Sequence, residues 1–220
     1  VVNSGLLTTK HTKHTNKEIA GMMKKLQNTI IYLIGIPAVG KYTIAKEIGR
    51  MTGARVIDNM VINTPVFIAA GYDGTDAFKM PASAEAQAVK IHKAVMTVVR
   101  DCTDKDDSFV FTNVLGVKVR GDKAWYRRVE SAAKHRKAAF FPVWLTCEQD
   151  VIRKRKNTPD RRARLKDIDL SNVSRWSEEF EVLKMPHPNR LTLDTSNSEP
   201  GETARLILKH ITDLDTAIGY

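Results

Sequence analysis

Residues 28–51 read NTIIYLIGIPAVGKYTIAKEIGRM, and the reading of this stretch decides the fold. NTIIYLIG is an unbroken run of β-branched and aromatic residues, the pattern of a central parallel strand buried on both faces. Residues 41–51 then read as a helix with Ile44, Ala45, Ile48 and Met51 on one face. Between the two lies GIPAVGK, in which Gly35, Gly40 and Lys41 satisfy the spacing G-x-x-x-x-G-K. A buried strand that ends in glycine and turns at once into a helix brings backbone N–H groups and a helix N-terminus to one point. That geometry suits phosphate oxygens. The pattern usually continues with Ser or Thr, but here Tyr42 follows the lysine and a hydroxyl arrives only at Thr43.

The same alternation continues outward from this stretch. ARVIDNM (54–60) reads as a second strand, and 59–81, with two glycines and two prolines, as a loop-rich stretch. Ser83 is expected to cap a helix whose Ala88, Ile91, Val95, Val98 and Val99 form an apolar stripe. SFVFTNVL (108–115) is a third strand, followed by a basic helix over about 121–137. AAFFPVWLTC (138–147) is a fourth, which Pro142 would weaken unless a bulge absorbs it. Residues 153–166 are expected to be helical around a break at Thr158-Pro159. RLTLDTS (190–196) is the fifth strand, and 199–214 a closing helix. Strands alternating with helices predict an α/β fold: a three-layer α/β/α domain over 23–220 with a five-stranded parallel sheet. Residues 1–22, with the quasi-repeat TTKHTKHTNKE, lack apolar periodicity and read as a basic tail. Met22 or Met23 is a candidate natural start.

The chain has 220 residues, enough for one substantial core. No run is long and apolar enough for a membrane span, and the start lacks a secretory layout. The two cysteines, Cys102 and Cys147, lack metal-like spacing and read as ordinary buried thiols, in keeping with a reducing, cytoplasmic setting. The net charge of +10 points to anionic partners. Residues 118–137 carry eight Lys and Arg against Asp122 and Glu130, which a solvated helix face explains. Residues 153–166 carry eight more against Asp160 alone, a density that repels itself unless an anion arrives.

The ordered chain resembles the small P-loop kinases: nucleoside monophosphate, shikimate and gluconate kinases and chloramphenicol phosphotransferase. It is most similar to poorly characterised bacterial ATP-binding proteins of that group. The resemblance rests on G-x-P-x-x-G-K, on a strand ending in Asp58-Asn59, on FTN in a middle strand, and on LDTS before the last helix. GKYT looks like the adenylate-kinase-type G-K-G-T, with Tyr42 replacing its glycine. The resemblance implies that ATP and Mg²⁺ bind at Gly35, Pro37, Ala38, Val39, Gly40, Lys41, Tyr42 and Thr43. Mg²⁺ would be held mainly by phosphates and water, with no protein side chain assigned as a metal ligand. Lys41 would bridge the β- and γ-phosphates, and Thr43 would lie near the α-phosphate. Asp58 would contact the acceptor hydroxyl. Monophosphate kinases often place an aspartate at the end of the middle strand, where this chain has Thr112 and Asn113.

The cluster RKRKNTPDRRARLK (153–166) falls where these kinases carry a lid. Planar guanidinium groups match the charge that phosphoryl transfer spreads over γ-phosphate oxygens. Arg153 and Arg161 are the expected catalytic arginines, with Arg155, Arg162 and Arg164 as alternates. Asn59, Asn63 and Tyr72 are expected to frame the acceptor. Trp125, Trp144 and Trp176 read as packing residues and His187–Asn189 as a turn. The expected function is an ATP-dependent phosphotransferase acting on a small-molecule acceptor. A polynucleotide kinase, with nucleic acid as partner, ranks second, beside a non-catalytic nucleotide-binding module. Neither the acceptor nor the oligomeric state is legible.

Overall fold

The computed structural model of the chain describes residues 25–75 and 81–218. The tail read at 1–22 lies outside the described residues. Strand β1 (Thr29–Ile34) is buried at all six positions. It pairs in parallel with β3 (Phe109–Asn113) on one edge and β4 (Ala139–Thr146) on the other. The outer strands β2 (Arg55–Asp58) and β5 (Leu191–Asp194) complete a five-stranded, all-parallel sheet in the order β2-β3-β1-β4-β5.

Helices cover both faces, and the period of two along β1 shows how. Ile31 and Leu33 pack with Ile44, Ala45 and Ile48 of α1 (Lys41–Thr52) and with Ala204, Ile207 and Ile211 of α7 (Pro200–Ile218). Ile30, Tyr32 and Ile34 point the other way. They meet Met96 and Val99 of α3 (Ala82–Asp101) and Tyr126, Val129 and Ala132 of α4 (Asp122–Arg136). Each such apolar side chain contributes about 1.5–3 kcal/mol on leaving water, so a polar residue in place of any of these five would weaken the face it packs on. The adjacent strands β1 and β3 thus send their following helices to opposite faces. Between their carboxyl ends the connections diverge and leave a crevice, the usual ligand position in open parallel sheets.

Several local expectations are corrected. Residues 59–69 are not loop but α2 (Asn59–Ala69), with Pro65 inside it. Burial of Met60, Ile62 and Val66 outweighs the lost backbone bond. Helix α3 begins at Ala82 behind Pro81, without a Ser83 cap. Its buried face is Ala88, His92, Met96 and Val99, whereas Val98 is exposed. Pairing of β4 with β1 runs in register through Pro142, opposite Tyr32, while β5 joins only from Val143 onward. Cys102 is exposed and Cys147 only half-buried, because each lies just past its element and not within it. The break at Thr158-Pro159 separates α5 (Gln149–Lys156) from α6 (Pro159–Ala163).

Candidate active site

The loop after β1 is shaped by two backbone demands. A Cβ on Gly35 would meet the Leu145 carbonyl oxygen at 2.5 Å, so only glycine lets the loop approach β4. Ala38 holds a φ of 69°, a left-handed conformation that costs a non-glycine residue about 1 kcal/mol or more. Such strain persists where the surroundings enforce it. Gly40 precedes α1 with a φ of 95°, offers no side-chain cap, and is followed by no acidic residue in the first turn. The first amides of α1 therefore keep their positive partial charge for an anion. Lys41 reaches back across the loop, its Nζ donating to Gly35 O at 2.6 Å and Ile36 O at 2.8 Å. Burial, and then the nearby Lys166 and Arg161 charges, push its pKa well below the ordinary lysine value.

Asp58 ends β2 and is buried. Its Oδ1 accepts a short hydrogen bond from the Thr112 hydroxyl. Its Oδ2 accepts from Arg164 Nη2 at 2.7 Å and lies 3.1 Å from Lys166 Nζ. The same two cations sit on the Tyr42 ring, with Arg164 Cζ 3.4 Å and Lys166 Nζ 4.5 Å from its centroid. Asn113 ends β3, donating to Tyr32 Oη at 3.2 Å.

The basic segment divides by direction. Arg161 lines the cleft and donates from Nη2 to Asp167 O at 2.6 Å. Arg155 also lines it, held against Thr195 O at 2.8 Å and Thr195 Oγ1 at 3.2 Å. The Thr195 hydroxyl in turn donates to the loop carbonyl of Val39 at 2.9 Å. Arg153 is not brought to the site. It is exposed, and its guanidinium approaches Ser174 Oγ at 3.5 Å. The root of the segment is a buried ion pair, Lys156 Nζ to Asp167 Oδ2 at 3.1 Å, close as charges though not aligned as a hydrogen bond. Trp176 Nε1 donates to the same Oδ2 at 2.7 Å.

One cleft of about 770 Å³ joins these parts. Pro37, Ala38, Val39, Gly40, Lys41, Tyr42, Thr43 and Asp58 line it, together with Arg161 and Lys166. Gly35 lies beneath, at the end of β1. Asn59, Asn63, Phe67 and Tyr72, with Glu85, Asp122, Trp125 and Arg128, also line the cleft. Asp122 accepts from Gly116 N at 2.6 Å, yet burial, with Glu85 nearby, raises its pKa to about 6. Trp125 stacks on His92 at 3.9 Å. Trp144 and Trp176 are buried, and His187 accepts from Asn189 N within its turn. Sequence reasoning had not singled out Lys166, Glu85, Asp122 or Arg128. Lys166 was visible within the cationic run, but nothing local distinguished it from its neighbours.

Among the described residues no group of three or more His, Cys, Asp or Glu could hold a metal. The oxygen donors of the cleft include the exposed Thr43 hydroxyl and Asp58, which suits a hard cation carried mainly by phosphate and water. Nor, among the described residues, is any helix long and apolar enough to cross a membrane.

No family model matches the chain, and no curated protein matches it in sequence. Solved structures do. The chain is similar to a gluconokinase from Sinorhizobium meliloti at 14% identity and a TM-score of 0.58, over 88% of this chain and 97% of that one. It is similar to a sugar kinase from Janibacter sp. at 17% identity and 0.54, over 86% and 95%. A third is the APS kinase of Mycobacterium tuberculosis in complex with AMPPNP and APS, at 16% identity and 0.52, over 84% and 98%. At these identities the likeness establishes that the chain shares the fold of these three structures.

Proposed function

We infer that the chain is an ATP-dependent phosphotransferase that moves the γ-phosphate of ATP to a hydroxyl or phosphate of a small-molecule acceptor. One observation carries this reading: the loop lysine Lys41 and the strand-end carboxylate of Asp58 line the same cleft, with Arg161 and Lys166 beside them. The open N-terminus of α1 receives the phosphates, and Lys41 exchanges its two loop carbonyls for phosphate oxygens. Mg²⁺ arriving with the triphosphate would neutralise charge on the β- and γ-oxygens.

The phosphates also compete with Asp58 for Lys166. As that cation turns to phosphate, Oδ2 gives up one of its two cationic partners and opens toward the acceptor. The acceptor oxygen then attacks the γ-phosphorus, a new P–O bond forms, and the bond to the β-phosphate oxygen breaks. The electron pair leaves with ADP, and the acceptor proton passes to the Asp58 carboxylate when the acceptor is a hydroxyl. Arg161 stabilises charge on the transferring group.

The test is incubation with γ-labelled ATP and a pool of metabolites, nucleotides and oligonucleotides, with Lys41→Ala run in parallel. A labelled small molecule that disappears with Lys41→Ala is the expected result. Label on oligonucleotide ends would replace this reading with a polynucleotide kinase, and ATP binding without any product would replace it with a binding module.

A further inference from the structure

The cations that face the phosphate loop do not hold themselves in place. Lys166 and Arg161 lie near enough to Lys41 to depress its ionisation, so three like charges are crowded beside one buried carboxylate. Something must fix them against their repulsion. Two features meet at that spot: Asp58, which binds Arg164 at 2.7 Å and Lys166 at 3.1 Å through one oxygen, and the Tyr42 ring. Arg164 lies over the ring with Cζ 3.4 Å from its centroid, and Lys166 Nζ stands 4.5 Å from the same centroid. The Arg164 side chain is 21% exposed and that of Lys166 14%, so both contacts are sheltered enough to act strongly.

We propose that Lys166 is a phosphate-binding residue and that Tyr42 is its positioning residue, its ring stacking Arg164 and bracing Lys166 against the phosphate loop. This rests on the phosphotransferase reading above. The large side chain after Lys41 then has a purpose. Tyr42 lies in the first turn of α1, so its ring moves with the loop and ties the cations of residues 164–166 to the place where phosphate enters. Asp58 supplies the compensating charge and Tyr42 the direction. Of the two cations, Lys166 lines the cleft itself and meets the nucleotide, whereas Arg164 stacks behind it as a wedge.

The test measures binding of Mg–ATP and of AMP to the full chain by calorimetry. Lys166→Gln is expected to weaken ATP about tenfold and AMP by less than twofold, because AMP lacks the phosphates concerned. Tyr42→Leu is expected to weaken ATP about 3- to 10-fold, within what a sheltered cation–π contact implies and no more than loss of the lysine it positions. Tyr42→Phe, which keeps the ring, should stay within about twofold. Combining Tyr42→Leu with Lys166→Gln should cost little beyond Lys166→Gln alone, since the ring acts through that lysine. Should Tyr42→Leu not fold, progressively fluorinated phenylalanines at position 42 keep the shape and drain the ring face, and ATP affinity should fall stepwise along the series. Flat affinity along that series, an additive double variant, or equal losses for ATP and AMP overturns the proposal. Lys41→Ala separates this from the parent reading. Unchanged ATP binding there removes the phosphate site altogether, whereas loss with Lys41→Ala and none with Tyr42→Leu or Lys166→Gln removes only this assignment.

Discussion

Asp58 is bound on both oxygens, and that sets what its substitution should do. Asp58→Asn keeps the shape and can still accept from Thr112, but loses the charge that holds Arg164 and Lys166 and, in the proposed reaction, the group that takes a proton. On that proposal the loop and Lys41 keep ATP, so affinity should change by less than about fivefold, while single-turnover transfer to the identified acceptor should fall by about 10²- to 10⁴-fold. A rate within about threefold of wild type would make Asp58 a structural ion-pair partner only. Asp122 offers a different residue-level test. Its pKa is raised to about 6, by burial first and the Glu85 charge next, against the Gly116 amide. The folded state therefore holds this proton more tightly than the unfolded chain does. Stability from this group is full below the ordinary carboxylate pKa and is lost as pH rises through about 6. Water reaches the half-buried carboxyl, so the effect is discounted to about 1 kcal/mol, or roughly 2–4 °C for a chain of this size. Asp122→Asn should gain that much relative to wild type between pH 4 and pH 7; parallel melting curves across the range would refute it.

At the scale of elements, basic side chains turn out to do two unlike jobs. Arg136, at the end of α4, points inward and is buried. It donates to Val99 O at 2.7 Å, Thr103 Oγ1 at 2.7 Å and Asp104 O at 2.6 Å, with Lys105 O and Asp107 O each at 3.1 Å. It thereby caps the carboxyl end of α3, where the last carbonyls lack partners within the helix. Arg136→Met would strand several carbonyls, and a loss of about 3 kcal/mol is expected by denaturant titration. The pair Lys156–Asp167 instead closes the segment that carries Arg161, Arg164 and Lys166. Lys156→Met leaves a carboxylate buried beside Trp176 without its cation, a change that typically costs about 3–5 kcal/mol. Because the damage sits at the root of one segment, amide exchange should rise first over 157–169. Exchange that rises uniformly over the sheet would show that this segment does not open on its own.

At the scale of the whole molecule, the sheet order decides where everything meets. Asp58, Asn113, Gly35 and Thr195 come from distant parts of the chain, yet each follows or ends a parallel strand at the same side of the sheet. A ligand there would bridge the glycine loop, the β2 end and the basic segment, and should stabilise them together. At about 100 times its dissociation constant, Mg–ATP should add about 2.7 kcal/mol, which is roughly 5–10 °C in Tm for this size. Lys41→Ala should abolish the shift while leaving the unliganded Tm within a few degrees. A full shift in that variant would place the nucleotide elsewhere.

The residues of 28–51 by themselves determined the strand, the glycine turn and the helix, and the repeated strand–helix alternation determined the parallel α/β sheet. Those patterns are local, written in the period of neighbouring side chains and in the few conformations glycine turns allow. What they leave open is direction. Arg153 and Arg155 stand two apart on α5, about 200° around the helix, so one faces solvent and the other Thr195. Only the packing of α5 on the sheet chooses which. The contacts of Asp58 join residues 54 and 106 positions apart, and the buried face of α2 overrides a proline that reads locally as loop. A pairing across such separations depends on the whole core closing first, which no short window of sequence contains. The tertiary structure alone therefore decided that Lys166 and Arg164, and not Arg153, meet Asp58 and Tyr42 beside the glycine loop.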